Sequence, residues 1–519
     1  MADPDANPDA NPDPPSPFAV AWRRVIARLR TRTAKQFAVA AVVLAALYLG
    51  VRFLGAPAPA RFADDVDHFK YGSIGSEHVF GVPVNMWHAL PELFVDKLPP
   101  AGGYASIGMV YEDGHDLPVG TTVRRVMGFD RVWLNCAVCH TGTVRDAPDA
   151  KPTVYAGMPA NTFDFRAFMR FFLEAAPDRR FTPDRILRQI AVREEAGRGR
   201  GYDALDTFLL RFIGIYWFRE RTLMVKDRLR IFDEQPEWGP GRVDTFNAAK
   251  VLFGFPTDAL PAREKVGTAD FPSIWNQAAR EGMQLHWDGN NTSVAERNRS
   301  AALGAGATPP TLEGASMDRI ERWIGTLKQP PYPYDVDPAL AARGAPIYAR
   351  LCADCHGASG SDFTGRYVGQ VVPIDRIGTD RHRLDSYTLE LSANQNTLYA
   401  GYEERRFKHF RKTNGYANMP LDGVWLRAPY LHNGSVPTLR LLLEPQENRP
   451  AAFYRGNDVY DPAQVGFVFT VADYGPSRRF FRYDVALPGN GNGGHEGAAY
   501  GTALTDAEKD ALVEHLKTF

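Results

Sequence analysis

The amino-acid sequence predicts a mainly α, loop-rich protein whose two domains stand behind a single N-terminal transmembrane helix. Three observations carry that expectation. One apolar run lies close to the N-terminus, helix start and stop signals frame the C-terminal third, and 46 Gly with 39 Pro break up a chain in which strand-like alternation is rare and short. At 519 residues the chain is long enough for two domains with filled cores.

The first seventeen residues, MADPDANPDANPDPPSP, hold almost no apolar side chain and cannot build a core, so residues 1–36 are expected to be a disordered tail that becomes basic. Arg23, Arg24, Arg28, Arg30, Arg32 and Lys35 then precede FAVAAVVLAALYLGVRFL, residues 37–54, which is close to the span of a bilayer. Arg52 sits near its far end, where a long side chain can snorkel to the interface. Basic residues upstream place the N-terminus in the cytoplasm and everything after Leu54 across the cytoplasmic membrane, in the periplasm. A cleaved signal peptide is the rival reading, with Ala58 and Ala60 as small residues at a cleavage site.

In the exported part, Ile320, Trp323, Ile324 and Leu327 fall at helical spacing and run into the proline-rich connector KQPPYPYDVDP, residues 328–338. The boundaries expected are therefore 55–335 for an N-terminal domain with insertions and 336–519 for a C-terminal one. Asp337 with Pro338 can cap and open a helix that carries Gly344, a position where another helix can cross closely. The crossing partner expected is the last segment, where Thr505 and Glu508 make a capping box and Leu512, Leu516 and Phe519 form one apolar stripe.

Charge argues against nucleic acid as a partner, because 60 Lys+Arg stand against 61 Asp+Glu. Cysteine usage says more. There are four, and all lie in two motifs: LNCAVCHTGTVRD with Cys136, Cys139 and His140, and LCADCHGASG with Cys352, Cys355 and His356. In Cys-x-x-Cys-His the two thiols add to haem vinyl groups and the adjacent imidazole reaches the iron, so two such motifs imply two covalently bound c-type haems, one in each domain. Zinc and redox thiols are the alternatives. Zinc is disfavoured because a His directly after the second Cys reaches a tetrahedral site poorly, and a thioredoxin-like pair needs neither a second motif nor the His. Each motif leaves the sixth iron position open, and that position decides between electron transfer and reaction with O2 or peroxide.

Three further stretches carry a resemblance: LHWDGNNTSVAERNRSAALGAGA from Leu285, MPLDGVWLRAPYLHNGSVPTLRLLL from Met419, and NGGHEGAAYGTALTDAEKDALVEHLKTF from Asn492. Together with the two haem motifs in matching order, from about Tyr71 to the C-terminus, the chain resembles the rubber-oxygenase-like dihaem cytochromes, distant relatives of the bacterial dihaem cytochrome c peroxidases. The resemblance implies that His140 and His356 are proximal ligands, that His495 closes the second haem, and that the first haem keeps an open or weakly ligated iron beside apolar residues. Met419 and His432 are rivals to His495, which a glycine-rich polar loop otherwise makes a solvated residue; His432 otherwise bonds a haem propionate or backbone. Trp287 is the candidate for a relay between the haems and, with His140, for a catalytic role; simple core packing is its other reading. Two functions follow. One is a dihaem oxidoreductase of peroxidase or oxygenase type that reacts with O2 or peroxide and exchanges electrons with a periplasmic donor or acceptor; the other is a membrane-tethered electron carrier with both irons six-coordinate.

Overall fold

The computed structural model describes residues 16–54, 59–199 and 202–519. Residues 1–15, the first part of the expected disordered tail, and 55–58, which include Ala58, lie outside the described residues, as does the side chain of Arg52. The chain divides into two compact units: the N-terminal segment with the turn Arg125–Gly128, and Pro59–Arg124 with Phe129–Phe519.

The N-terminal segment is one helix, Pro17–Leu54, 38 residues long. This corrects the expectation of a disordered tail up to residue 36, because Pro17 sits at a first-turn position and the Ala, Arg and Leu residues that follow are good helix formers. Its Val20–Val51 portion is long and apolar enough to cross a membrane, and none of it is buried in the protein.

The second unit is built mainly from helices, with one three-stranded and five two-stranded sheets among the described residues. The strands are short, as the broken alternation requires; in the largest sheet Val82 pairs with Val132. Helices Val84–Leu93, Phe165–Ala175 and Pro183–Glu195 surround a cluster of buried aromatics that includes Trp87, Tyr104, Phe168, Phe171 and Phe172. Phe171 and Phe172 meet edge-on at 5.1 Å, the geometry ring quadrupoles favour.

The C-terminal helices form as their signals predict. Asp337 accepts from the backbone N–H groups of Ala339 and Leu340 to cap the helix Pro338–Leu351. Thr505 and Glu508 close a capping box on the helix Asp506–Leu516, with the Thr505 N–H donating to Glu508 Oε2 at 2.9 Å. The two cross at Gly344, where a Cβ would stand 2.0 Å from the Ala511 carbonyl oxygen, so only glycine permits this approach. Leu512, Leu516 and Phe519 then pack with Tyr348 and Trp425 in one core. A second core gathers Phe69, Ala137, Ile320 and Ile324, with Trp323 at 5.0 Å from Phe69.

The segments before and after the connector interlock. Asp458 accepts from Arg145 Nε at 2.9 Å and from Thr143 Oγ1 at 2.8 Å, and Gln329 Nε2 donates to the Phe519 carbonyl at 3.2 Å. The connector thus lies along the body it joins.

Candidate functional site

The first Cys-x-x-Cys-His turn is held from both sides by short strands. Phe129–Leu134 leads in and Thr141–Val144 leads out, the latter paired with Thr153–Ala156. Asn135 caps the turn: its Oδ1 accepts from the Ala137 N–H at 3.0 Å and its Nδ2 donates to the Gly72 carbonyl at 3.0 Å. Gly120, at φ +84°, lies against the turn so closely that a Cβ would meet the Val138 nitrogen at 2.2 Å. The His140 ring bonds through Nδ1 to the Pro272 carbonyl at 2.9 Å, so Nε2 is the nitrogen left to face a metal. Burial first, and then the Arg297 guanidinium, push this imidazole down to about 4, which keeps its lone pair free at neutral pH. Arg297 is itself buried, and its guanidinium makes no hydrogen bond or ion pair among the described residues.

The second turn follows the helix Pro338–Leu351 directly, as the short helix Ala353–His356. Gly357 at φ +92° ends it, and Tyr348 Oη donates to the Gly357 carbonyl at 2.7 Å. His356 repeats the arrangement of His140, with Nδ1 on the Met419 carbonyl at 2.8 Å and its pKa lowered mainly by burial. None of the four cysteines is in a disulfide. Burial raises all four thiols, Cys136 and Cys352 to about 12, which favours the thiol over the thiolate.

His495 comes to this second turn. Its ring centre lies 6.3 Å from that of His356, the planes inclined at 48°. The loop that carries it is pinned: the His495 N–H donates to the Ile377 carbonyl at 2.7 Å, and Arg449 Nη1 donates to the Gly494 carbonyl at 3.0 Å. The ring is half-buried by area but walled in by protein, and burial with the neighbouring His356 pushes it down to about 3. The His495 Nδ1 atom is sealed from solvent without a partner. His140 has no ring neighbour of this kind among the described residues.

Met419 takes part through its backbone carbonyl, on the Nδ1 side of His356. His432 is occupied elsewhere, its Nε2 paired with Tyr416 Oη at 2.9 Å and its ring stacked on that tyrosine at 4.0 Å. Trp287 donates from Nε1 to the Asp270 carbonyl at 2.8 Å, and its own carbonyl accepts from the Ala417 N–H at 2.8 Å. Asp270 is two residues from Pro272, and Ala417 is two residues from Met419. A short chain of bonds therefore runs from His140 through Pro272, Asp270, Trp287, Ala417 and Met419 to His356.

The residues that hold these contacts carry no motif of their own. Asp422, fully buried, accepts from Arg280 at 2.5 Å and from Arg427 at 2.6 Å, and its Oδ2 accepts from Asn276 Nδ2 at 2.8 Å. Arg427 Nη1 also donates to the Pro420 carbonyl at 2.7 Å, tying this hub to the turn that presents Met419. A buried Asp with two arginines was the available signal, but burial cannot be read from a single sequence.

Residues 415–454 match a family model described as RoxA-like, cytochrome c-like. That match supports a RoxA-like cytochrome family and covalently bound c-type haem; it covers Met419, Asp422 and His432 but neither Cys-x-x-Cys-His motif. The chain is similar to the uncharacterized protein y4iM of Sinorhizobium fredii (strain NBRC 101917 / NGR234), 33% identical over 290 residues, which are 48% of this chain and 64% of that protein. It is also similar to the uncharacterized protein y4iJ of the same strain, 28% identical over 482 residues, covering 75% of this chain and 76% of that protein. The chain thus spans less than two thirds of the first of these relatives.

Proposed function

We propose that the protein is an exported, membrane-anchored dihaem c-type cytochrome acting as an oxidoreductase, in which the haem at His140 reacts with O2 or peroxide and the haem at His356 transfers electrons. The observation that supports this reading is the asymmetry of the two histidines: among the described residues, His356 faces a second imidazole and His140 does not.

The second site fits an iron held from both sides. An imidazole nitrogen sits about 2.0–2.1 Å from a first-row metal with its ring centre about 1 Å behind, so two imidazoles on one iron put their centres about 6 Å apart. His356 and His495 stand at 6.3 Å. Cys136 and Cys139, and Cys352 and Cys355, are the sulfurs for the thioether bonds. A c-type haem supplies a one-electron iron centre whose reactivity follows its sixth ligand.

The remaining work belongs to the chain. Pro272 and Met419, through their carbonyls, hold the two proximal imidazoles in one tautomer and orientation. Arg297 offers a buried positive charge near His140, suited to a haem propionate or to charge that develops there. Trp287 joins the two proximal sides by the path described above, and its indole is the one large aromatic in that path. The Pro17–Leu54 helix, with its basic first half, acts as the anchor that leaves the body in the periplasm.

The test is the electron paramagnetic resonance spectrum of the purified ferric protein with haem content measured beside it. Two haems per chain, one high-spin and one low-spin, are expected. Two low-spin signals that bind neither CO nor cyanide would overturn the reactive-haem assignment in favour of a tethered electron carrier.

A further inference from the structure

The segment 204–228 leaves an apolar face uncovered. Asp203 caps the helix Ala204–Leu209, a π-turn occupies Leu210–Gly214, and the helix resumes at Ile215–Arg228. The inner face is settled: Leu209, Leu210, Ile215 and Phe218 are buried, and Phe218 meets Phe172 edge-on at 5.8 Å. Gly214 lets this face press close, since a Cβ there would stand 3.3 Å from the Phe129 ring.

The outer face is the reverse of what a solvated helix shows. Phe208 is 55% exposed, Phe212 56%, Ile213 48%, Tyr216 49% and Met224 65%. The π-turn helps to build it, because one extra residue in the turn lets Phe212 and Ile213 straddle the direction of Phe208 instead of rotating one of them inward. The rings of Phe208 and Phe212 lie 4.8 Å apart with their planes inclined at 49°, so the two form one continuous surface. Residues 204–228 carry five basic against three acidic side chains. Lys226 and Arg228 are exposed on the same helix, while the Arg221 guanidinium lies over the Trp217 and Phe80 rings.

The geometry points to a bilayer surface as the occupant: the Phe208, Phe212, Ile213 and Tyr216 face inserts at the head-group level of an anionic membrane, and Lys226 and Arg228 pair with its phosphates. Aromatic and aliphatic side chains beside Lys and Arg are the chemistry of an interfacial helix, and an exposed apolar patch on a soluble body marks a contact. A protein partner matched to this face would need acidic rims around an apolar groove; an anionic bilayer offers both properties without a specific fold. The inference rests in part on the proposed anchor, because a tether raises the effective concentration of the membrane around a weak docking face.

The experiment uses the full chain with a protease site inserted after Ala58, reconstituted into phosphatidylglycerol/phosphatidylethanolamine vesicles. The uncut chain staying with the vesicles through flotation in 1 M NaCl reports the anchor alone. After cleavage at low salt, the released body is expected to float with the vesicles, and to do so at least fivefold less on pure phosphatidylcholine. Phe208→Ser, Phe212→Ser and Tyr216→Ser together, and separately Lys226→Glu with Arg228→Glu, are each expected to cut flotation at least fivefold with the haem absorption spectrum unchanged. A wild-type body that leaves the vesicles as fully as the triple variant overturns the proposal, as does a body that dimerises through this face and does not float. An uncut chain that washes off at high salt removes the anchor reading, while flotation of the cut body still decides the docking face.

Discussion

The ring of His495 faces that of His356 at 6.3 Å, although 138 residues lie between them in the chain. Among the described residues no ring stands beside His140 in this way. The different coordination proposed for the two irons follows from where one pinned glycine-rich loop arrives.

Replacing His495 tests that pairing. H495A is expected to convert the low-spin signal of one haem to high-spin and to leave the other haem's signal unchanged, because Arg449 and the Ile377 carbonyl hold the loop through its backbone. Two unchanged signals would assign the sixth ligand elsewhere.

Trp287→Phe keeps an aromatic ring and removes the 2.8 Å bond to the Asp270 carbonyl. Electron exchange between the haems, followed by stopped-flow after partial reduction, should slow by about tenfold, the equivalent of about 1.4 kcal/mol. Both haem spectra should stay as they are. An unchanged rate makes Trp287 a packing residue.

Asp422→Ala leaves Arg280 and Arg427 buried without their shared carboxylate. Breaking a buried pair in this way costs about 3–5 kcal/mol, to be read from urea unfolding. Because Arg427 also holds the Pro420 carbonyl beside Met419, the reduction potential of the His356 haem should shift while that of the His140 haem does not.

Gly344→Ala places a Cβ 2.0 Å from the Ala511 carbonyl oxygen, a contact with backbone that no rotamer relieves. The two terminal helices of the C-terminal part must separate, and a loss of about 1–3 kcal/mol is expected in chemical denaturation. A neutral result would mean that the helices cross less closely.

His432 sets a pH dependence. Burial pushes its pKa down to about 3, with Arg383, Arg242 and His382 adding to the effect and Asp380 opposing it. The unfolded chain takes up a proton near the ordinary histidine value that the folded chain refuses, so stability is full above about pH 6.5 and falls as pH drops toward 3. Thermal unfolding at pH 7 and pH 4.5 should show a smaller drop for His432→Gln than for the wild-type chain.

Several features were legible in the sequence by itself because their causes are local. A capping box is decided by four consecutive residues, so the helix Asp506–Leu516 begins where Thr505 and Glu508 say it must. The stripe of Ile320, Trp323, Ile324 and Leu327 likewise marks the helix Gly314–Thr326 and its end at the connector. Cys-x-x-Cys-His is a local motif too, and the thiols and imidazole it needs are covalently adjacent. The N-terminal apolar run was legible, but its true helical start at Pro17 was not, since an Arg-rich amphipathic stretch reads as a tail until helix continuity is considered.

What tertiary structure alone decided is which distant groups meet. The acceptors for His140 and His356 are backbone carbonyls of Pro272 and Met419, and any residue type can supply a carbonyl. Asp422 and its two arginines look like surface charges until burial makes their pairing obligatory. The outward face at Phe208 and Phe212 looks like core until the fold leaves it uncovered. Sequence determines chemistry that neighbours along the chain can perform; the meeting of His495 with His356, which the resemblance implies, is brought about by loop closure and packing over the whole body.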